Sequence, residues 1–206
     1  MADDGGITVT GHGSAGAPPD VVRLSLAAEA AHPSVQQALD AVRVALTAMR
    51  TVLGDLGVAP ADVRSTEASL WSSTDDRAGR TTHTARFGLE VTVRQVDDAG
   101  HVLAAALDAA GEVGRMQGMA FAHADARELE SRARAAAMED ARGKARQLAN
   151  LAGRDLGEVL DVVEGEPPVR PFPVPRRAAA FAAEAVPVSG GELEVTAAVT
   201  VRWSLV

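Results

Sequence analysis

Between residues 125 and 152 the apolar positions recur at helical spacing, and no other stretch of the chain states its structure so plainly. At 100° per residue, Ala126, Leu129, Ala133, Ala136, Ala137, Ala141, Leu148, Leu151 and Ala152 fall on one side, which predicts an amphipathic helix about 40 Å long. That side is mostly alanine. Alanine contributes little burial but lets a helix backbone sit close to its support, so the helix is expected to lie flat on a sheet. Asp125 and Glu128 have the spacing of a capping box, and Gly153 supplies a left-handed stop. Glu128 and Glu130 near the start and Arg142, Lys144 and Arg146 near the end suit the helix dipole. Glu128/Arg132, Glu130/Arg134 and Asp140/Lys144 stand one turn apart and can pair.

Elsewhere the period changes between two and three and a half. Residues 7–14 and 21–30 alternate apolar and polar side chains across a Gly/Pro turn, which predicts two strands joined as a hairpin. From His32 to about Leu56 a second helix is expected, with Pro33 at its first position and Gly54 and Gly57 stopping it. Its apolar residues, Val35, Leu39, Val42, Leu46, Met49, Leu53 and Leu56, alternate four and three. That seam serves either the helix's own sheet, the favoured reading, or a contact between subunits. A strand over 63–71, a polar connection over 72–84 and a clear strand ending at Val93 follow. Asp97 is placed to cap a short helix ended by Gly111; residues 116–122 read as a strand leading into the long helix, and 159–163 as another after it. Residues 165–189 are rich in proline and alanine and read as an inserted loop. Alternation from Leu193 to Leu205 closes the chain with a long strand, whose expected neighbour is the one ending at Val93. The element order predicts an α+β fold: a largely antiparallel sheet with three helices packed on it, in a single domain spanning residues 1–206 with a short flexible N-terminal tail.

Composition changes this picture in two ways. Hydrophobic residues make up 47% of the 206, but aromatics only 3%, so the core must be built from alanine, valine and leucine, and Trp71 and Trp203 stand out. A formal net charge of −8 argues against nucleic acid as a partner, because phosphate recruits clustered Lys and Arg. Cysteine is absent, which excludes disulfides, thiolate metal sites and a cysteine nucleophile. The acidic, glycine-rich start lacks the features of a secretory signal, and no apolar run is long enough for a membrane span. The expected location is cytoplasmic for the chain as given, and periplasmic or cell envelope if a leader has been removed.

Candidate chemistry is sparse. Gly11-His12-Gly13-Ser14-Ala15-Gly16 fits the dinucleotide pattern, but Pro18 and Pro19 lead into a strand where the fingerprint needs a helix N-terminus. A turn or bulge is the expected role of these glycines. The five histidines lack ligand spacing, and no serine sits in a nucleophile frame. No catalytic, metal or cofactor residues are assigned. Asp140 and Lys144 are the candidate polar pair, both within the alanine side of the long helix: either they satisfy each other and a neighbouring backbone, or they mark a polar site beneath the helix.

Several stretches in this order and spacing resemble the SIMPL-domain family: ITVTGHGSAGAPPDVVRLSL, Met116-Gln117-Gly118-Met119-Ala120-Phe121, ARAAAMEDARGKARQLA, Leu156-Gly157-Glu158-Val159 and GELEVTAAVTVRWSL. The resemblance implies helices on an antiparallel sheet, a tendency to form ring-like or higher oligomers, and no transferable catalytic residues. Relatives of this kind are linked to oxidative-stress tolerance in bacterial envelopes and, in animals, to a signalling kinase. The functional expectation is a non-enzymatic protein acting by self-assembly, as a homo-oligomer, or by contacts with a protein partner. The alternative is a small-molecule binder or enzyme using a pocket between helices and sheet, with Asp140, Lys144, Arg86 or Arg94 contacting an anion.

Overall fold

The computed structural model describes residues 5–76, 79–165 and 191–206. The elements are β1 (Gly6–Ala17), β2 (Val21–His32), α1 (Val35–Asp55), β3 (Val63–Asp75), β4 (Arg80–Val93), α2 (Ala99–Ala110), β5 (Gly114–Ala122), α3 (Arg127–Leu151), β6 (Leu156–Gly165) and β7 (Leu193–Leu205). The class is α+β, with every strand pairing antiparallel. The strands divide between two sheets, ordered β1-β7-β6 and β3-β4-β2-β5. The described residues accordingly fall into two compact units, one holding the three-stranded sheet and α3, the other the four-stranded sheet, α1 and α2.

In the larger unit, α1 and α2 cover one face of the four-stranded sheet. Val22, Leu24, Leu26, Ala28 and Ala30 of β2 and Ala85, Leu89, Val91 and Val93 of β4 meet Val42, Met49 and Leu53 of α1 and Val102 and Ala106 of α2. The four-three seam of α1 is therefore spent on its own core, with Leu39, Leu46 and Leu56 packed at its margin. α1 ends in a Schellman turn: Gly57 lies at φ 80°, its amide reaches Gly54 O, and the Val58 amide reaches Leu53 O.

Four local expectations are corrected. β1 and β2 do not form a hairpin; β1 pairs with β7, and β2 pairs with β4 and β5. Alternation shows that a segment is a strand but carries no information about its partner. For the same reason β7 pairs with β1 and β6, not with β4. Residues 72–84 belong largely to the two arms of the β3–β4 hairpin, whose register runs out to Asp75 opposite Arg80. Helix starts are also displaced: α1 begins after Ser34 rather than at Pro33, and α2 begins at Ala99 without a side-chain cap from Asp97. The proline-rich insert beyond Gly165 and the residues before Gly5 lie outside the described residues.

Candidate functional site

In the smaller unit, α3 rests on β1 and β7 through a row of buried residues exactly four apart in sequence, Leu129, Ala133, Ala137, Ala141, Ala145 and Ala149. This row differs from the expected side at its C-terminal end, where Leu148 and Leu151 are exposed and Ala145 and Ala149 are buried. Two glycines make the seat. A Cβ on Gly11 would collide with the backbone of Ala137 and Ala141, and one on Gly13 with the backbone of Ala133 and Ala137. Gly11 and Gly13 thus serve a close approach of helix to strand, not the turn or bulge expected of them. Val199, Val201 and Trp203 of β7 complete the core, with Trp203 only 2% exposed.

The two flanks of α3 do different things. On one, Asp140 Oδ2 accepts hydrogen bonds from the His12 amide at 2.8 Å and from Lys144 Nζ at 2.6 Å, and Lys144 Nζ also donates to the Thr10 carbonyl at 3.1 Å. β1 ends its sheet, and antiparallel strands turn alternate residues toward and away from their partner. The pair therefore occupies backbone groups of β1 that β7 does not use, covering an otherwise open edge. The Lys144 ammonium, then the His12 amide, hold the Asp140 carboxyl below the usual carboxylate range. Asp140 and Lys144 side chains remain 36% and 43% exposed, so they sit at the helix margin and not in a chamber beneath it.

On the other flank, Arg134 reaches Glu164 of β6 at 2.6 Å and Glu130 at 3.4 Å. Met138 packs against the core one turn on, and Arg142 and Arg146 continue the row; the open hollow they line with Ala135, Glu139 and Gly143 is made by residues of α3. The adjoining β6 is unusually bare: Val159 is 41% exposed, Leu160 50%, Val162 50% and Val163 53%. Sequence reading found β6 as a strand but not its exposure, because the valines look identical whether or not a helix lies over them.

At the start of α3 the capping box does not form. Asp125 Oδ1 instead accepts from the Arg127 amide at 3.0 Å, while the Arg127 guanidinium grips both carboxylate oxygens and lowers the Asp125 pKa to about 2. The C-terminus is as expected: Gly153 at φ 69° closes a Schellman turn, with its amide on Asn150 O and the Arg154 amide on Ala149 O.

The remaining candidates lie in the larger unit. Arg94 makes two 2.7 Å bonds to Asp62, and its guanidinium holds that carboxyl below its ordinary value. Arg86 pairs with Glu67 at 2.9 Å and Glu29 at 3.4 Å. Both cations are already neutralised within their own unit. Among the described residues none of the fully buried ones is polar or charged, and no three His, Asp or Glu side chains gather at metal-binding distance.

A model of the SIMPL family, described as a protein of unknown function (DUF541), matches residues 7–203. The chain belongs to the SIMPL family. Two curated relatives are similar to it: the 26 kDa periplasmic immunogenic protein of Brucella melitensis biotype 1 and that of Brucella abortus (strain S19). Each is 26% identical over 97% of this chain and 84% of its own length. The SIMPL match takes in Gly11 and Gly13 of β1, α3 and β7 up to Trp203, so the seated helix lies wholly within it. No helix among the described residues is long and apolar enough to cross a membrane.

Proposed function

We propose that this SIMPL protein works without catalysis, through contacts with other protein chains, further copies of itself included. The observation that carries this reading is β6. Among the described residues β6 is an end strand with four aliphatic side chains 41–53% exposed, and so offers both unpaired backbone and apolar surface, the two things that strand addition and face-to-face packing require. The ionic groups of the fold favour the same reading, since Asp140, Lys144, Arg86 and Arg94 are each engaged within the fold. The periplasmic relatives favour an envelope location, and the resemblance to stress-linked proteins favours a role in stress tolerance. Neither requires a reaction.

The test is site-specific photo-crosslinking in cells. A benzophenone side chain placed at Leu160 or Val163 should yield higher-mass adducts, whereas the same group at Val44, exposed on α1, should not. Equal or absent crosslinking from β6 would sink the reading. Fractionation of the same cells locates the protein, and survival of a deletion strain under oxidant tests the stress role.

A further inference from the structure

α3 leaves part of its own sheet uncovered. Residues directly opposite in an antiparallel pair project to the same face, so Val159 opposite Trp203 and Val162 opposite Val201 point to the side on which α3 lies. Trp203 and Val201 are 2% and 1% exposed beneath the helix, whereas Val159 and Val162, one strand further on, are 41% and 50% exposed. One helix is about 10 Å wide and covers roughly two strands spaced by about 4.8 Å. The third strand is left as a seat that is unfilled among the described residues.

The wall of that seat is cationic. The flank of α3 turned toward β6 is fixed by the Arg134–Glu164 bond, and the same four-residue row continues through Met138, Arg142 and Arg146. Arg134 is neutralised by Glu164 and Glu130, but Arg142 and Arg146 have no ion-pair or hydrogen-bond partner among the described residues. Glu139 is the acidic member of the hollow they line. β6 also carries the exposed Glu158 and Asp161; Asp161 lies opposite Arg202, whose position in β7 alternates with the core residues Val201 and Trp203 and so faces away from α3. Gly143, in mid-helix beside Arg142, has open space where a Cβ would be. Two residues from both Ala141 and Ala145, it lies on the side of α3 turned away from the sheet and takes no part in the seat.

The geometry points to an acidic amphipathic helix of another protein as the occupant, its apolar face on Val159, Val162 and Met138 and its carboxylates on Arg142 and Arg146. This rests on the contact reading proposed above and narrows it. A second copy is a poorer fit, because the seam of α1 is spent on its own core and the three exposed residues of α2, His101, Ala104 and Asp108, form no apolar stripe.

Fluorescence anisotropy with two labelled peptides about five turns long tests it, one with a leucine face flanked by Glu, the other with Lys in place of every Glu. The Glu peptide should bind the full chain and the Lys peptide should not. The exposed double variant Arg142→Glu/Arg146→Glu should weaken binding at least tenfold, as should Val162→Glu, while Val163→Glu on the opposite face should leave it unchanged; circular dichroism checks that each variant folds. Absent binding, equal binding of both peptides, or indifference to the arginine variant overturns the inference. A dimer in sedimentation velocity that Arg142→Glu/Arg146→Glu dissociates also overturns it, by making a second copy the occupant. Crosslinks from Leu160 without binding of the Glu peptide would remove this inference and leave the broader contact reading standing.

Discussion

Gly13 lies directly beneath Ala137, so close that no side chain fits between the strand and the helix. Gly13→Ala must therefore push α3 off β1, with a loss of about 2–3 kcal/mol or more, as for other overpacked cores. Gly143→Ala, on the same helix but in open space, should raise stability by about 0.5–1 kcal/mol through the unfolded chain. Urea titrations of both variants decide the matter; equal shifts of the midpoint would mean that helix and strand do not touch.

Asp140 should contribute to stability in a pH-dependent way. Its folded pKa is depressed by Lys144 and the His12 amide, so its contribution is complete above the ordinary value near 3.8 and disappears as pH falls through the lower folded value. Asp140→Asn, in a pair more than a third exposed, should cost about 0.5–1 kcal/mol at neutral pH. The difference between wild type and variant should shrink below about pH 4. Denaturation midpoints measured from pH 7 to pH 2 check this, and a difference independent of pH would contradict it.

The two tryptophans should behave oppositely. Trp203 is 2% exposed among the alanines of α3, and Trp203→Ala should cost about 3–5 kcal/mol. Trp71 on β3 is 44% exposed, and its replacement by alanine should change stability by about 0.5 kcal/mol or less. Acrylamide should quench the emission that remains in Trp203→Phe far more strongly than that in Trp71→Phe.

The end of α3 offers a local test. Gly153 is held at φ 69°, where an L side chain is strained, so Gly153→Ala should lower stability by about 1 kcal/mol and Gly153→Asn by less. Thermal melts of the two variants should rank in that order.

How far the chain can be read unaided depends on the range of the interaction. The helical extent of 127–151, the left-handed stop at Gly153 and the strand character of 193–205 are written in local periodicity and backbone preference, and each forms where it was expected. The SIMPL resemblance was likewise legible in the order of the matching stretches. The pairing of β7 with β1 across some 190 residues was not, because alternation is satisfied by any partner with a matching face. Nor was the placement of Asp140 and Lys144 at the edge of β1: a single helix fixes their angle to one another, but only the sheet decides which backbone they meet. The exposed valines of β6 make the same point, since burial is a property of what lies above a residue and no residue carries that in its own identity. Sequence determined the elements and the small residues that let them approach; tertiary structure alone decided which strand each element would lie against and which would be left exposed.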